Sequence, residues 1–259
     1  MIAIMAGMGK GTRIGLRIAY LGAGFAGWQR QPGPRSVQGD LEQALERIFG
    51  RRVPIVGAGR TDAGVHADAQ VAHFDAPLAI PPAGLAKALN ASLDADVRVL
   101  RAWHVSAAFD ARRSARGKRY RYRLAAVGRP LRPWEAMRTW QVTHRLDVEA
   151  LSVAADLLPG AHDFASFALA GHAGTGRRGT VRTISSARVS VRGRRIDVVL
   201  EGDGFLRGMV RRIVGALVEV GRGARDPEWL ASLLQDPTAG PPAPTAPALG
   251  LTLEKVFYR

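Results

Sequence analysis

The stretch GAGRTDAGVHADAQVAHFD, residues 57–75, sets a single carboxylate, Asp62, in a short glycine-rich segment between Arg60 and Gly64. Aspartate in such a place is a good turn former, because its side chain bonds the backbone two residues on. The same group in a pocket is a nucleophile or a general base. Residue type alone leaves both readings open. Further along the stretch, His66-x-Asp68 and His73-x-Asp75 supply metal-ligand types. Side chains alternate along a strand, so the two pairs fall on opposite faces, and a structural or RNA-facing role is preferred to a metal site. The chain has no cysteine, which excludes disulfides, thiolate zinc sites, cysteine nucleophiles and the zinc deaminase pattern.

Two glycine motifs invite a nucleotide and then fail. GAGFAG at 22–27 has the GxGxxG spacing after a strand, but two prolines follow where a dinucleotide-binding helix must start. MGKGT near the start lacks the Ser/Thr directly after Lys10 and the correctly spaced first glycine of a phosphate loop.

The basic residues carry more. There are 37 Lys+Arg against 22 Asp+Glu, a formal net charge of +15, which makes nucleic acid the leading class of partner. The run FDARRSARGKRYRYRL, 109–124, interleaves arginines with tyrosines. Rings stack on bases and guanidinium groups pair with phosphates, so the mixture suits RNA; a solvated edge strand with its tyrosines in the core gives the same pattern. Arg177, Arg178 and Arg182 form a second basic cluster in a Gly-rich segment. Arg207, Arg211 and Arg212 open an apolar helix, where cations oppose the helix dipole and point to an anionic partner.

These residues need elements to hold them. From Ile14, Ile14, Leu16, Ile18 and Tyr20 alternate as a half-buried strand. Ser36 caps a helix with Val37, Leu41, Ala44, Leu45 and Ile48 at helical spacing, ended by Gly50. Val53–Val56, a turn and a strand from Val65 to about Phe74 follow, then a helix after Pro81 and Pro82 and a strand over Val97–Trp103. The order is βαββαβ, the split βαβ unit of ferredoxin-like folds. A second half repeats it: a strand through Tyr120, Tyr122 and Leu124, a helix capped by Asp147, strands over Val181–Val191 and Ile196–Leu200, helices from Val210 and Pro227, and a last strand over Leu251–Phe257. The run PTAGPPAPTAPA holds neither regular structure and reads as an extended connection to that last strand.

With 259 residues, 47% of them hydrophobic, the chain can bury two modest cores. The expected fold is α+β, two ferredoxin-like halves with largely antiparallel sheets meeting at a central cleft. The expected boundaries are a flexible tail at 1–12, a first domain at 13–110 carrying Asp62, and a second at 111–259. Nothing at the start resembles a signal peptide and no window approaches a membrane span, which together with the missing cysteine suits a cytoplasmic protein.

GRTDAGVHA at 59–67 resembles the signature of the tRNA pseudouridine synthases of the TruA type. GWQRQ at 27–31 with RSVQGDLEQAL at 35–45, KRYRYRL at 118–124, HDFASF at 162–167 and GFLRGMVRRIVGAL at 204–217 resemble segments of the same family in the same order. The resemblance implies isomerisation of uridine to pseudouridine at positions 38, 39 and 40 of the tRNA anticodon arm, with no cofactor and no metal. It implies Asp62 as the catalytic aspartate, Tyr120 as the residue packing on the target base, and Arg60 as the side chain filling the place of the flipped nucleotide. Arg211 is implied as the partner of the catalytic carboxylate and Leu251 as an apolar pocket residue, in a homodimer whose two subunits share each tRNA. An arginine beside a carboxylate favours its ionised form, which agrees with the role implied for Arg211. A basic RNA-binding or RNA-folding protein without catalysis is the alternative. Tyr20-Leu21-Gly22 and Asp94 depart from the usual pattern at scaffold positions, and residues 1–12 read as an extension or a misassigned start.

Overall fold

The computed structural model describes residues 12–77, 80–169, 179–238, 240 and 242–258. Two compact units result, one running to Ala115 and including Tyr258, the other spanning Arg116–Phe257. The tail expected at 1–12 and its MGKGT segment lie, apart from Thr12, outside the described residues.

The first unit is β1 (Arg13–Tyr20), α1 (Val37–Phe49), β2 (Val56–Gly57), β3 (His66–Asp75), α2 (Pro82–Ser92) and β4 (Val97–His104). The strands order as β4-β1-β3-β2, every pair antiparallel, as the split βαβ reading requires. Ile14, Leu16, Ile18 and Tyr20 of β1 are buried beside Leu41 and Leu45 of α1 and Leu85 and Leu89 of α2 in the core of this unit. Ser36 caps α1 as expected, its Oγ accepting from Gly39 N at 3.2 Å. The strand read over Val53–Val56 reduces to Val56–Gly57, because Val53 and Ile55 are buried without ladder partners.

The second unit holds β5 (Gly117–Ala125), α3 (Pro133–Ala136), β6 (Trp140–Gln141), α4 (Val148–Asp156), β7 (Gly160–Asp163), β8 (Val181–Arg192), β9 (Arg195–Gly202), α5 (Met209–Gly221), α6 (Pro227–Gln235) and β10 (Leu251–Phe257). Its strands run β10-β5-β9-β8-β7, antiparallel throughout, with the two-residue β6 parallel to β5. The first four repeat the spatial order of the first unit, and β7 is an edge addition that the sequence pattern did not show. Asp147 and Asp226 cap α4 and α6 through short bonds to backbone N–H groups. The described part of the proline-rich run crosses α5 as extended chain, with Ala246 N donating to Arg211 O at 3.1 Å and Pro244 O lying directly over Gly215.

The basic Arg/Tyr run is a central strand, β5, and not an edge. Its pleat separates the two residue types. Tyr120, Tyr122 and Leu124 are buried on one face. On the other, Arg119 pairs with Glu201 at 2.7 Å and Arg121 with Glu254 at 2.8 Å, while Arg121, Arg123 and Arg195 surround the buried Asp197 at 3.2–3.7 Å. Tyrosines and arginines of this strand therefore cannot grip the same stretch of RNA as an interleaved set.

Candidate active site

In the first unit, Asp62 sits in the connection between β2 and β3, half-buried. Its neighbours are fastened from several sides. Val65 N donates to Asp62 O at 3.1 Å, closing the turn, and Gly64 N donates to Phe25 O at 3.3 Å. Trp28 N donates to Thr61 O at 3.1 Å, and Gln70 Nε2 donates to Gly59 O at 2.9 Å. The Thr61 hydroxyl shares a buried 2.9 Å hydrogen bond with the phenol of Tyr20. The turn is thus held by the end of β1, by β3 and by the loop over residues 22–28.

That loop is the GxGxxG stretch, and its glycines serve the aspartate. A side chain at Gly22 would run into the Val65 carbonyl. One at Gly27, whose φ is +103°, would meet Thr61 O at 2.6 Å. The backbone can approach the Asp62 turn this closely only without those side chains. Gly22 N also donates to the Nδ1 atom of the fully buried His66 at 3.1 Å.

Both histidines accept a backbone hydrogen bond inside the first unit. His73 Nδ1 accepts from Ala111 N at 3.0 Å, and burial pushes its pKa down, which keeps the imidazole neutral and able to accept. Asp75 pairs with Arg13 at 2.8 Å. Among the described residues no group of three His, Asp or Glu side chains is placed to hold a metal ion. Arg60 is exposed on the same turn as Asp62, its Nε donating to Gln29 Oε1 at 3.1 Å.

The second unit gathers the other three expected residues. Tyr120 meets Phe205 edge-on with ring centroids 5.1 Å apart. Leu251 is directly opposite Tyr122 in the ladder, and Leu253 opposite Tyr120, so all four side chains share one face. Tyr122 donates to Pro247 O at 2.6 Å, and its burial pushes the phenol up despite the opposing charge of Arg211. Arg211 Nε donates to Ala246 O at 2.8 Å. A side chain at Gly250 would strike the Tyr122 ring at 2.5 Å. Tyr122 is thus paired with Leu251 across the ladder and feels the charge of Arg211, while Tyr120, two residues away, faces Phe205.

Arg212, expected to face an anion, instead donates to Ser166 O and Ala168 O at 3.2 and 2.7 Å, tying the HDFASF segment to α5. Arg182 donates to Gly179 O and Val181 O at 3.0 and 2.6 Å; Arg177 and Arg178 lie outside the described residues. Thr61, Gln29, Gln70 and Phe205 are not among the site residues the sequence pointed to, and Tyr20 was read there only as a scaffold position. Their signal is contact between residues distant in the chain, apart from Thr61, whose neighbour already drew attention.

A family model for tRNA pseudouridine synthases matches residues 17–112 and 154–259. The chain belongs to that family, isomerases that convert uridine to pseudouridine in tRNA. Among its relatives are the tRNA pseudouridine synthase A of Myxococcus xanthus, 45% identical over 95% of this chain and 92% of that protein, and that of Chlamydia pneumoniae, 40% identical over 95% and 92%. The tRNA pseudouridine synthase A of Thermosipho melanesiensis is 40% identical over 95% of this chain and 99% of its own length. No helix among the described residues is long and apolar enough to cross a membrane.

Proposed function

We propose that the protein isomerises uridines at positions 38, 39 and 40 of the tRNA anticodon arm, with Asp62 as the catalytic carboxylate. The observation that carries this reading is the fastening of the Asp62 turn, whose flanking groups bond to Tyr20, Trp28, Phe25 and Gln70. An ordinary surface turn needs no such frame, whereas a reacting carboxylate must be held within a fraction of an ångström.

The reaction breaks the N1–C1′ bond of the nucleotide, turns the uracil and joins C5 to C1′; the C5 hydrogen leaves as a proton and N1 takes one up. Asp62 either attacks C1′ to give a ribosyl ester or removes the 2′ proton to give a glycal, and both routes need an ionised carboxylate. Arg211, whose Nε is held by Ala246 O, is the cation that the resemblance implies for this carboxylate. Extruding the base costs a few kcal/mol, of which stacking on Tyr120 returns roughly 1–3 kcal/mol. Leu251 contributes an apolar wall, and Arg60 enters the space the base leaves. The protein acts as a homodimer on this reading, as the resemblance implies, and in the cytoplasm, as the missing cysteine suits.

Release of label from tRNA carrying tritium at uridine C5 tests the reading, because forming the C–C bond frees that hydrogen without cutting the chain. Asp62→Ala is expected to abolish release while tRNA binding stays within about threefold, a change under 1 kcal/mol. A parallel collapse of binding would make Asp62 a structural turn residue.

A further inference from the structure

Arg60 is held by a row of side chains that begins in the core of the first unit. Glu42 of α1, 5% exposed, accepts from Ile55 N at 3.2 Å and from Gln38 Nε2 at 3.0 Å, both on Oε1. Gln38 Nε2 donates also to Ile55 O at 3.1 Å, while its Oε1 accepts from Arg30 N at 3.0 Å and from Gln29 Nε2 at 2.7 Å. Gln29 Oε1 in turn accepts from Arg60 Nε at 3.1 Å. Arg30 Nε closes the base of the row on Glu42 Oε2 at 3.3 Å.

The chemistry of the two ends sets the sense of the whole row. An ionised carboxylate only accepts and a guanidinium only donates, so both intervening amides must be oriented head to tail. Gln38 cannot flip without breaking four bonds, nor Gln29 without breaking two. Arg60 is consequently aimed before RNA arrives, through Nε, instead of sampling the rotamers of an exposed arginine, whose ordering costs about 2 kcal/mol.

We propose that Gln29 is a positioning residue for the isomerisation: relayed from Glu42 through Gln38, it pre-orients Arg60 for the step in which the target uridine leaves its helix. This rests on the reading of Arg60 as the side chain that enters the vacated space. It assigns to an exposed glutamine a part in base extrusion, with no contact to the reacting atoms. Because extrusion is hardest for a paired base and least costly for a mismatched one, the row matters only where pairing must be broken.

The test compares tRNA whose target uridine is base-paired with the same tRNA carrying a mismatch opposite that uridine. Gln29→Met keeps the volume and removes both hydrogen bonds at an exposed position, so folding is preserved. It is expected to slow tritium release about tenfold on the paired substrate and less than about twofold on the mismatched one. Gln38→Met should reproduce the split, and Gln29→Met added to Arg60→Ala should lose nothing further, since the two act as one unit. Equal losses on both substrates, or a normal rate for Gln29→Met where Arg60→Ala shows the split, would overturn the positioning role. If Arg60→Ala itself slows both substrates alike, the assignment of Arg60 to extrusion fails instead.

Discussion

The phenol of Tyr20 and the hydroxyl of Thr61 lie 2.9 Å apart in a buried contact, which ties the residue preceding Asp62 to the end of β1. Tyr20→Phe leaves the packing volume and strands the Thr61 hydroxyl, a loss of about 1–3 kcal/mol for an unsatisfied buried group. We expect kcat to fall more than KM rises, because the substitution loosens the carrier of the carboxylate and not a substrate contact. Steady-state kinetics beside urea unfolding separates the two effects.

The same residue makes stability depend on alkaline pH. Burial pushes the Tyr20 phenol up to about 12, above its value of about 10 in an unfolded chain. Below pH about 10 both states keep the proton and the contribution is complete; between about 10 and 12 only the unfolded state releases it, so stability falls by about 1.4 kcal/mol per pH unit. Tyr122 and Tyr258 are pushed up as well, by burial first, and steepen the loss in the same direction. Tyr20→Phe should flatten the dependence of the urea midpoint by one proton across this window. An unchanged slope would mean that Tyr20 ionises in the fold as readily as outside it.

Gly27 separates collision from backbone strain. Its φ is +103° and a side chain there would meet Thr61 O at 2.6 Å, whereas Gly33, with φ +92°, has nothing within 4 Å. Gly33→Ala should cost only the left-handed penalty, about 1–2 kcal/mol, and leave turnover intact. Gly27→Ala pays that penalty and must also displace the Asp62 turn, so label release should drop by about 100-fold or more, the cost of a misplacement near 1 Å. Similar rates for both variants would show the turn to be tolerant of movement.

Tyr120 faces Phe205 at 5.1 Å, so its ring is oriented before substrate binds. Tyr120→Phe retains that ring and should cost only severalfold in kcat/KM, while Tyr120→Ala forfeits about 1–3 kcal/mol of stacking, or roughly 5- to 150-fold. Equal effects of the two substitutions would argue for the hydroxyl over the ring.

Much of the fold was legible because its signals are local. Apolar periodicity, the Ser36, Asp147 and Asp226 caps and the proline pair that opens α2 mark α1, α2, α4, α5 and α6 within a few residues of where they lie, whereas the four-residue α3 is too short to show a period. The βαββαβ order then restricts the sheet to few arrangements, and the observed one repeats in both units. The edge strand β7 escaped because four residues, Gly160–Asp163, carry no alternation to read.

By itself, then, the sequence determined the longer elements, their order and the identity of the residues with chemistry to offer, since periodicity, capping and motif spacing are properties of neighbours along the chain. Tertiary structure alone decided what those residues do to one another. It turned Tyr120 and Tyr122 inward and sent Arg119, Arg121 and Arg123 to the opposite face, because β5 became a central strand with acidic partners on β9 and β10. It made the glycines at 22 and 27 the seat of the Asp62 turn and joined Glu42 to Arg60 through two glutamines. Such contacts are bonds and close approaches between segments tens of residues apart, and they exist only once the chain has closed those loops and excluded water from between them.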